Sequence, residues 1–119
     1  MKSSLRLKRR SDYALVYREG MTWLSGLVVM KAKHNRLACT RYGFSVTKRL
    51  GNAVQRNRLK RLLREIVGLQ PVKPGWDIVF IARPIAVTAD YHQLEDVVTT
   101  LLAKAQLLGR NETTCVRLN

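Results

Sequence analysis

Residues 41–65 read RYGFSVTKRLGNAVQRNRLKRLLRE, and they predict a strand, a turn at Gly51 and Asn52, and a helix that ends near Gly68. In the helix the apolar residues recur at a spacing of about 3.6, which buries one side. The opposite arc is almost wholly basic or amide, and Arg56 falls near the boundary. The helix is therefore predicted to be held in a core by one set of side chains and to present another set to a partner. The apolar set is Leu59, Leu62, Leu63 and Ile66, and the polar set is Asn57, Arg58, Lys60, Arg61 and Arg64.

The strand that precedes this helix has two chemically different faces. Phe44 and Val46 point one way, and Ser45 and Thr47 point the other, because successive side chains of a strand alternate. We expect the apolar face to pack in the core and the polar face to be available for binding.

The positive charge of the chain is concentrated in the same region. The net charge is +14 for 119 residues, and residues 1–64 hold 17 Lys and Arg against two acids, whereas residues 65–119 hold 5 against 6. No acid lies between Glu19 and Glu65, although 11 Lys and Arg do, seven of them from Lys48 to Arg64. Because no nearby acids neutralise this field, we expect a polyanionic partner rather than a merely solvated surface.

Nucleic acid is favoured over an anionic membrane as that partner. A membrane-binding segment normally carries an apolar face of Trp, Phe or Leu opposite its basic residues, whereas the apolar faces here are needed for a core. The N-terminal MKSSLRLKRR is not followed by an apolar run of signal-peptide length, and no segment approaches the roughly 20 apolar residues of a spanning helix. We therefore expect a soluble, cytoplasmic protein.

Upstream, the sequence predicts a short helix and one further strand segment. DYALVYRE follows a candidate N-cap at Ser11 and ends at Gly20, and Tyr13 and Tyr17 lie four apart on one face of this helix. Residues 24–33 are apolar and β-branched enough to form a strand.

Downstream, DIVFIAR at 77–83 predicts a buried strand, and an apolar stripe from about Asp90 predicts an amphipathic helix that stops at Gly109. We predict the order αβββαβα in an α+β fold. This order has three strands before the basic helix, and the sequence gives residue bounds for only two of them. The length fits one domain over residues 1–119, with a basic N-terminal arm at 1–10 and a frayed tail at 110–119.

No residue pattern points to catalysis by the protein or to a metal site. Cys39, Cys115, His34 and His92 are scattered without metal-ligand spacing. The acids lack a paired arrangement in a motif, and no nucleophile is paired with a histidine. We expect neither a catalytic residue nor a metal ligand in this chain.

The basic stretch and its surroundings resemble the bacterial ribonuclease P protein subunit. The similarity covers roughly residues 6–108: the strand DIVFIAR resembles the family's penultimate element, and Tyr13 and Tyr17 match its two helical aromatics. The family's RNR motif is matched by Arg56, Asn57, Arg58, Lys60 and Arg61. Around it stand Arg41, Gly43, Ser45, Val46, Lys48 and Arg49 in the pattern RxGxSVxK(K/R), followed by GNAV and Arg64.

This resemblance implies a two-layer αβββαβα sandwich similar to the second domain of a small-subunit ribosomal protein. It also implies a left-handed βαβ crossover through the basic helix, whereas general topology rules would have suggested a right-handed one. The chain would be a non-catalytic, monomeric subunit of an endoribonuclease. The catalytic RNA would hold Mg²⁺ and remove the 5′ leader from precursor tRNA, and the protein would bind both RNAs.

Two surfaces follow from the resemblance. The RNR helix and the turn before it would bind the catalytic RNA through phosphates, with Arg56, Asn57, Arg58, Lys60, Arg61 and Arg64. A cleft between the first helix and the sheet would take the leader, with Tyr13, Tyr17, Ser45, Lys48 and Arg49. Family members often have a third aromatic on the second strand; here Met30 and Lys31 stand nearby, and Trp23 is an alternative.

Two other classes of function compete with this interpretation. A ribosomal or other scaffold protein would explain the basic half of the chain, but not the tyrosines and the RxGxSVxK pattern together. A nuclease that acts alone would cleave RNA without an RNA subunit and would depend on a single carboxylate.

Overall fold

The computed structural model describes residues 5–109, which form three helices and one four-stranded sheet. The elements are α1 (Arg10–Glu19), β1 (Met21–Leu24), β2 (Val28–His34), β3 (Arg41–Ser45), α2 (Ala53–Gly68), β4 (Trp76–Ala82) and α3 (Tyr91–Lys104). Short 3-10 helices at Lys48–Leu50 and Pro84–Thr88 precede α2 and α3. The observed order is αβββαβα in an α+β fold, as predicted.

The prediction of one strand over 24–33 is wrong, because this segment contains a turn. The Ser25 hydroxyl donates to the Val28 carbonyl (2.6 Å) and accepts from the Val28 N–H (3.0 Å). These side-chain hydrogen bonds reverse the chain between β1 and β2. The strand missing from the prediction is therefore β1.

The sheet has the order β1-β2-β4-β3, with β2 antiparallel to both β1 and β4. Strand β3 lies at the edge and pairs in parallel with β4, in a register that places Gly43 opposite Val79. Helix α2 connects the two parallel strands, so β3, α2 and β4 form the expected βαβ unit. This arrangement brings the basic helix next to the edge strand.

The main core lies between the sheet and the pair α2 and α3. It contains alternate residues of β2 and β4 together with the predicted apolar positions of α2. Helix α1 covers part of the opposite face, where Val16 and Val79 are fully buried in a second cluster with Leu7. In β3, Phe44 packs against the main core, and Ser45 therefore lies on the opposite face of the sheet, as predicted.

The helix ends show where local signals were sufficient. Helices α2 and α3 begin with complete capping boxes, Asn52 with Gln55 and Asp90 with Gln93, close to the predicted starts. Helix α1 instead has Arg9 at its N-cap with no side-chain hydrogen bond, so the expected Ser11 cap is wrong.

Tertiary contacts decide the other helix ends. The Leu7 N–H donates to the Tyr42 carbonyl (2.7 Å), which fixes the chain just before α1. Helix α3 ends at Lys104 rather than Gly109, because the residues that follow turn back on the segment before β4. The Lys73 N–H donates to the Leu107 carbonyl (2.8 Å) there. Within residues 5–109 no helix is long and apolar enough to cross a membrane.

Candidate RNA interface

The six residues predicted to contact the catalytic RNA spread over a wide arc of α2: Arg56, Asn57, Arg58, Lys60, Arg61 and Arg64. Arg56, Lys60 and Arg64 follow one another at intervals of four and are half-buried on one flank of the helix. Lys60 and Arg64 line a cavity there together with side chains of β3. Asn57 and Arg61 lie on the exposed crest. The helix thus presents a broad surface of cations rather than a single line.

Two of the arginines also have structural roles. The Arg56 Nε donates to the Gly51 carbonyl (3.2 Å), which braces the turn before α2. An Arg58 guanidinium nitrogen donates to the Ala89 carbonyl (3.3 Å) just before α3. Each guanidinium keeps further N–H donors for a phosphate, because arginine has five.

None of the seven cations from Lys48 to Arg64 forms an ion pair with another residue among 5–109. The ion pairs of that part of the chain lie elsewhere, at Arg18–Glu19, Lys33–Glu19, Arg41–Asp12 and Arg41–Asp77. The charge of α2 and of the preceding turn is therefore not compensated within the described protein, and a polyanion would find it available.

The turn before α2 is built around one glycine. Gly51 has φ 153°, and a side chain there would place a Cβ 2.3 Å from the Gln55 Oε1. That Gln55 oxygen accepts from the Asn52 N–H (3.0 Å) to close the capping box. Gly51 thus allows the turn and the helix cap to form together, which holds Lys48 and Arg49 exposed on the short 3-10 helix just before them.

Tyr13 is anchored on the edge strand β3. Its ring lies against Gly43 so closely that a Cβ at residue 43 would be 2.6 Å from Tyr13 Cε1 and 2.7 Å from its hydroxyl oxygen. Burial raises the pKa of the Tyr13 phenol, and a hydrogen bond with the Phe44 backbone opposes that rise. Tyr13 is half-buried, so part of its ring is used for packing and the rest is open to a base.

Tyr17 is the freer of the two rings. It is 40% exposed, and its centroid lies 6.4 Å from that of Tyr13 with the ring planes inclined by 44°. Ser45 lies two residues beyond Gly43 and hence on the same face of β3, where it is half-buried. The structure thus brings Tyr13, Tyr17 and Ser45 to one side of the sheet.

None of the proposed replacements supplies a third aromatic platform there. Met30 is fully buried in the main core, on the face opposite α1. Trp23 pairs with Met30 across β1 and β2 and packs against the same core, so the suggestion that it substitutes is wrong. Lys31 does lie on the α1 face, and its ammonium donates to the Thr22 hydroxyl (2.8 Å).

An ion-pair network that the sequence reasoning did not identify supports this cleft. Arg41 donates from Nε and a terminal nitrogen to both oxygens of the buried Asp77 (2.9 and 2.7 Å) and lies 3.7 Å from Asp12 of α1. The hydrogen bonds with Asp77 are the main cause of the raised pKa of Arg41. Asn35 also donates to Asp77 (2.9 Å). Arg41, the first residue of the RxGxSVxK pattern, thus joins β3, β4 and α1. The one sign of this network in the sequence was Asp77, an acid at the start of a strand predicted to be buried.

Among residues 5–109 no group of three or more His, Cys, Asp or Glu side chains is placed to hold a metal ion. The expectation that Mg²⁺ enters only through an RNA stays a prediction.

Comparisons with known proteins agree with this architecture. The sequence matches the family described as Ribonuclease P over residues 1–106. It is 50% identical over 115 residues to the ribonuclease P protein component of Dehalococcoides mccartyi, covering 96% of each chain. It is 44% identical over 108 residues to that of Roseiflexus castenholzii, covering 88% of each.

Solved structures show the same fold. The RNase P protein of Staphylococcus aureus superposes with a TM-score of 0.80 at 30% identity, over 88% of this chain and 98% of that chain. The protein from Thermotoga maritima gives 0.73 at 31% identity, over 83% and 96%. The chain therefore belongs to the ribonuclease P protein family, the protein components of an endoribonuclease that processes tRNA.

Proposed function

We propose that this protein is the non-catalytic cofactor of a ribonuclease P ribonucleoprotein, and that it binds both the catalytic RNA and the 5′ leader of precursor tRNA. One observation carries the proposal most directly. Tyr13 of the cleft and Lys60 and Arg64 of α2 line a single cavity, so the aromatic and the basic surfaces are continuous. One RNA-protein interface can therefore use both surfaces.

Helix α2 would hold the catalytic RNA through its backbone. Guanidinium groups bind phosphate oxygens with two parallel hydrogen bonds, and lysines add mobile point charges. Contacts of this kind set position and affinity but do not read sequence. Arg61 and Asn57 on the exposed crest suit this role because nothing in the described chain competes for them.

The cleft between α1 and the sheet would take the single-stranded leader. Stacking of a base on an aromatic ring contributes about 1 to 3 kcal/mol and tolerates any base. Tyr17 offers the more exposed ring, and Tyr13 is held in place by Gly43. This combination would suit a partner that must accept many leader sequences.

In this proposal catalysis belongs to the RNA, which binds Mg²⁺ and cleaves, and the protein acts as a monomer. Its contribution is to neutralise backbone charge and to hold the leader. A protein that acts mainly through charge should matter most when divalent cations are scarce, since Mg²⁺ can screen the same phosphates.

Reconstitution tests the proposal. Purified protein added to a bacterial ribonuclease P RNA at low Mg²⁺ should process precursor tRNA much faster than the RNA alone. Arg61→Gln should reduce this stimulation, and Arg83→Gln, which removes an exposed arginine remote in sequence from α2, should not. Absence of stimulation by the wild-type protein would refute the proposal. Cleavage by the protein without RNA would favour the independent nuclease instead.

A further inference from the structure

A cavity of about 170 Å³ lies beside β3, at the free edge of the sheet. Arg6 and Leu7 run along part of this edge, where Arg6 forms a parallel bridge with Tyr42. Water occupies about 30 Å³ per molecule in the liquid, so the cavity has room for several waters or for one phosphate group. Its lining residues are Arg6, Tyr13, Tyr42, Phe44, Lys60 and Arg64.

The lining is strongly cationic. Three of the six residues carry a positive charge, none is acidic, and none of the three cations is ion-paired with another residue among 5–109. They come from separate parts of the chain, Arg6 from the segment before α1 and the other two from successive turns of α2. Three unpaired cations around one small cavity favour an anion within it.

A neutral hydrogen-bond donor completes the lining. Tyr42 is only 7% exposed, and among residues 5–109 no fully buried side-chain N or O atom lacks a hydrogen-bond partner. Its hydroxyl, which forms no hydrogen bond with the described residues, is therefore open to the cavity that Tyr42 lines. Burial raises the pKa of Tyr42 to about 12, so the hydroxyl keeps its proton at physiological pH. A phosphate oxygen in the cavity would give this donor the acceptor that the protein does not supply.

We propose that this cavity binds one phosphate group of the leader strand. This proposal rests on the proposed function above. Tyr13 lines the cavity and also belongs to the leader cleft, so a strand stacked on the tyrosines reaches the cavity as it passes the β3 edge. Arg6, Lys60 and Arg64 supply charge, and Tyr42 donates a hydrogen bond. The leader is thus held at its backbone as well as at its bases.

Deletion of one hydroxyl group tests the site. Tyr42→Phe removes only the donor, and Tyr91→Phe is the matched control because Tyr91 lies on α3 and does not line the cavity. The probes are a short single-stranded RNA, used as a leader, and inorganic phosphate followed by NMR shifts of the cavity residues. A hydrogen bond to a charged group contributes about 1.5 to 3 kcal/mol, so Tyr42→Phe should weaken the binding of both probes roughly tenfold to a hundredfold. Tyr91→Phe should bind like the wild type.

Arg6→Gln is a second variant that alters the cavity without touching the core. It should also weaken the binding of both probes, and its thermal melting should match that of the wild type, since Arg6 is exposed.

Three results would overturn the inference. The first is equal binding of the RNA by Tyr42→Phe and Tyr91→Phe. The second is a loss confined to inorganic phosphate, which would make the cavity a site for free phosphate. The third is a loss confined to the catalytic RNA, which would place a different strand there. None of these three results refutes the proposed function, provided that the wild-type protein still stimulates cleavage by the catalytic RNA. If the wild-type protein fails to stimulate cleavage, the proposed function is refuted, whatever binds in the cavity.

Discussion

Replacement of Gly43 by alanine should displace the Tyr13 ring and weaken leader binding. The new Cβ would lie 2.6 Å from Tyr13 Cε1, whereas ordinary contacts begin near 3.4 Å, so the ring or the strand must move by about 0.8 Å. Free retreat of the ring is prevented because Val16 fixes α1 against Val79 in a fully buried contact. Overpacking of this kind costs about 1 to 3 kcal/mol of folding free energy.

The effect on binding follows from the same displacement. If Tyr13 loses its stacked base, leader affinity falls by up to about 1 to 3 kcal/mol, or roughly 5- to 150-fold. The assay compares the affinity of the reconstituted complex for precursor tRNA with its affinity for mature tRNA. Gly43→Ala should lower only the former. Gly26→Ala is the matched control, because a Cβ at that position has no neighbour within 4 Å.

A double-mutant cycle identifies the cause of any loss. In a Tyr13→Ala background the clash is absent, so Gly43→Ala should cost little further stability, as measured by urea unfolding. An equal cost in both backgrounds, or unchanged discrimination between precursor and mature tRNA in Gly43→Ala, would refute the reasoning.

Three further predictions concern single side chains. Arg61→Gln should reduce the slope of log affinity for the catalytic RNA against log salt by about 0.7 to 0.9, as one phosphate contact is lost, and an unchanged slope would argue against the crest of α2 as the contact. Arg83→Gln should leave that slope as it is. Tyr17→Ala should weaken precursor binding by about 1 to 3 kcal/mol and spare mature tRNA, so that equal losses for both would contradict the leader assignment. Burial raises the pKa of Tyr42 to about 12, compared with 10 in an unfolded chain, so the folded protein holds the hydroxyl proton more tightly. The contribution of this group to stability is therefore complete below pH 10 and is lost as the pH rises to 12. The free energy of unfolding should therefore fall by about 2 to 3 kcal/mol more over that range in the wild type than in Tyr42→Phe, by denaturant titration.

The features set by local chemistry could be predicted. The α2 helix follows from its apolar spacing, and its start and that of α3 follow from Asn52 and Asp90, because capping involves residues only three apart. The imbalance of charge also depends on composition alone. Two features were missed. The Ser25 turn was taken for strand although its hydrogen bonds join residues only three apart. The end of α3 was placed at Gly109, although contacts with the segment before β4, which is distant in sequence, end it at Lys104.

The sequence by itself determined that α2 is a basic amphipathic helix, that β3 has one polar face, and that the pattern around them is that of a ribonuclease P protein. Only the tertiary structure decided which side chains meet. It joined Arg41 to Asp77 across 36 positions of the chain, placed Tyr13 on Gly43, and brought Arg6 and Lys60 to the same cavity. These contacts depend on the parallel pairing of β3 with β4 and on the packing of α1, which no local pattern of residues encodes.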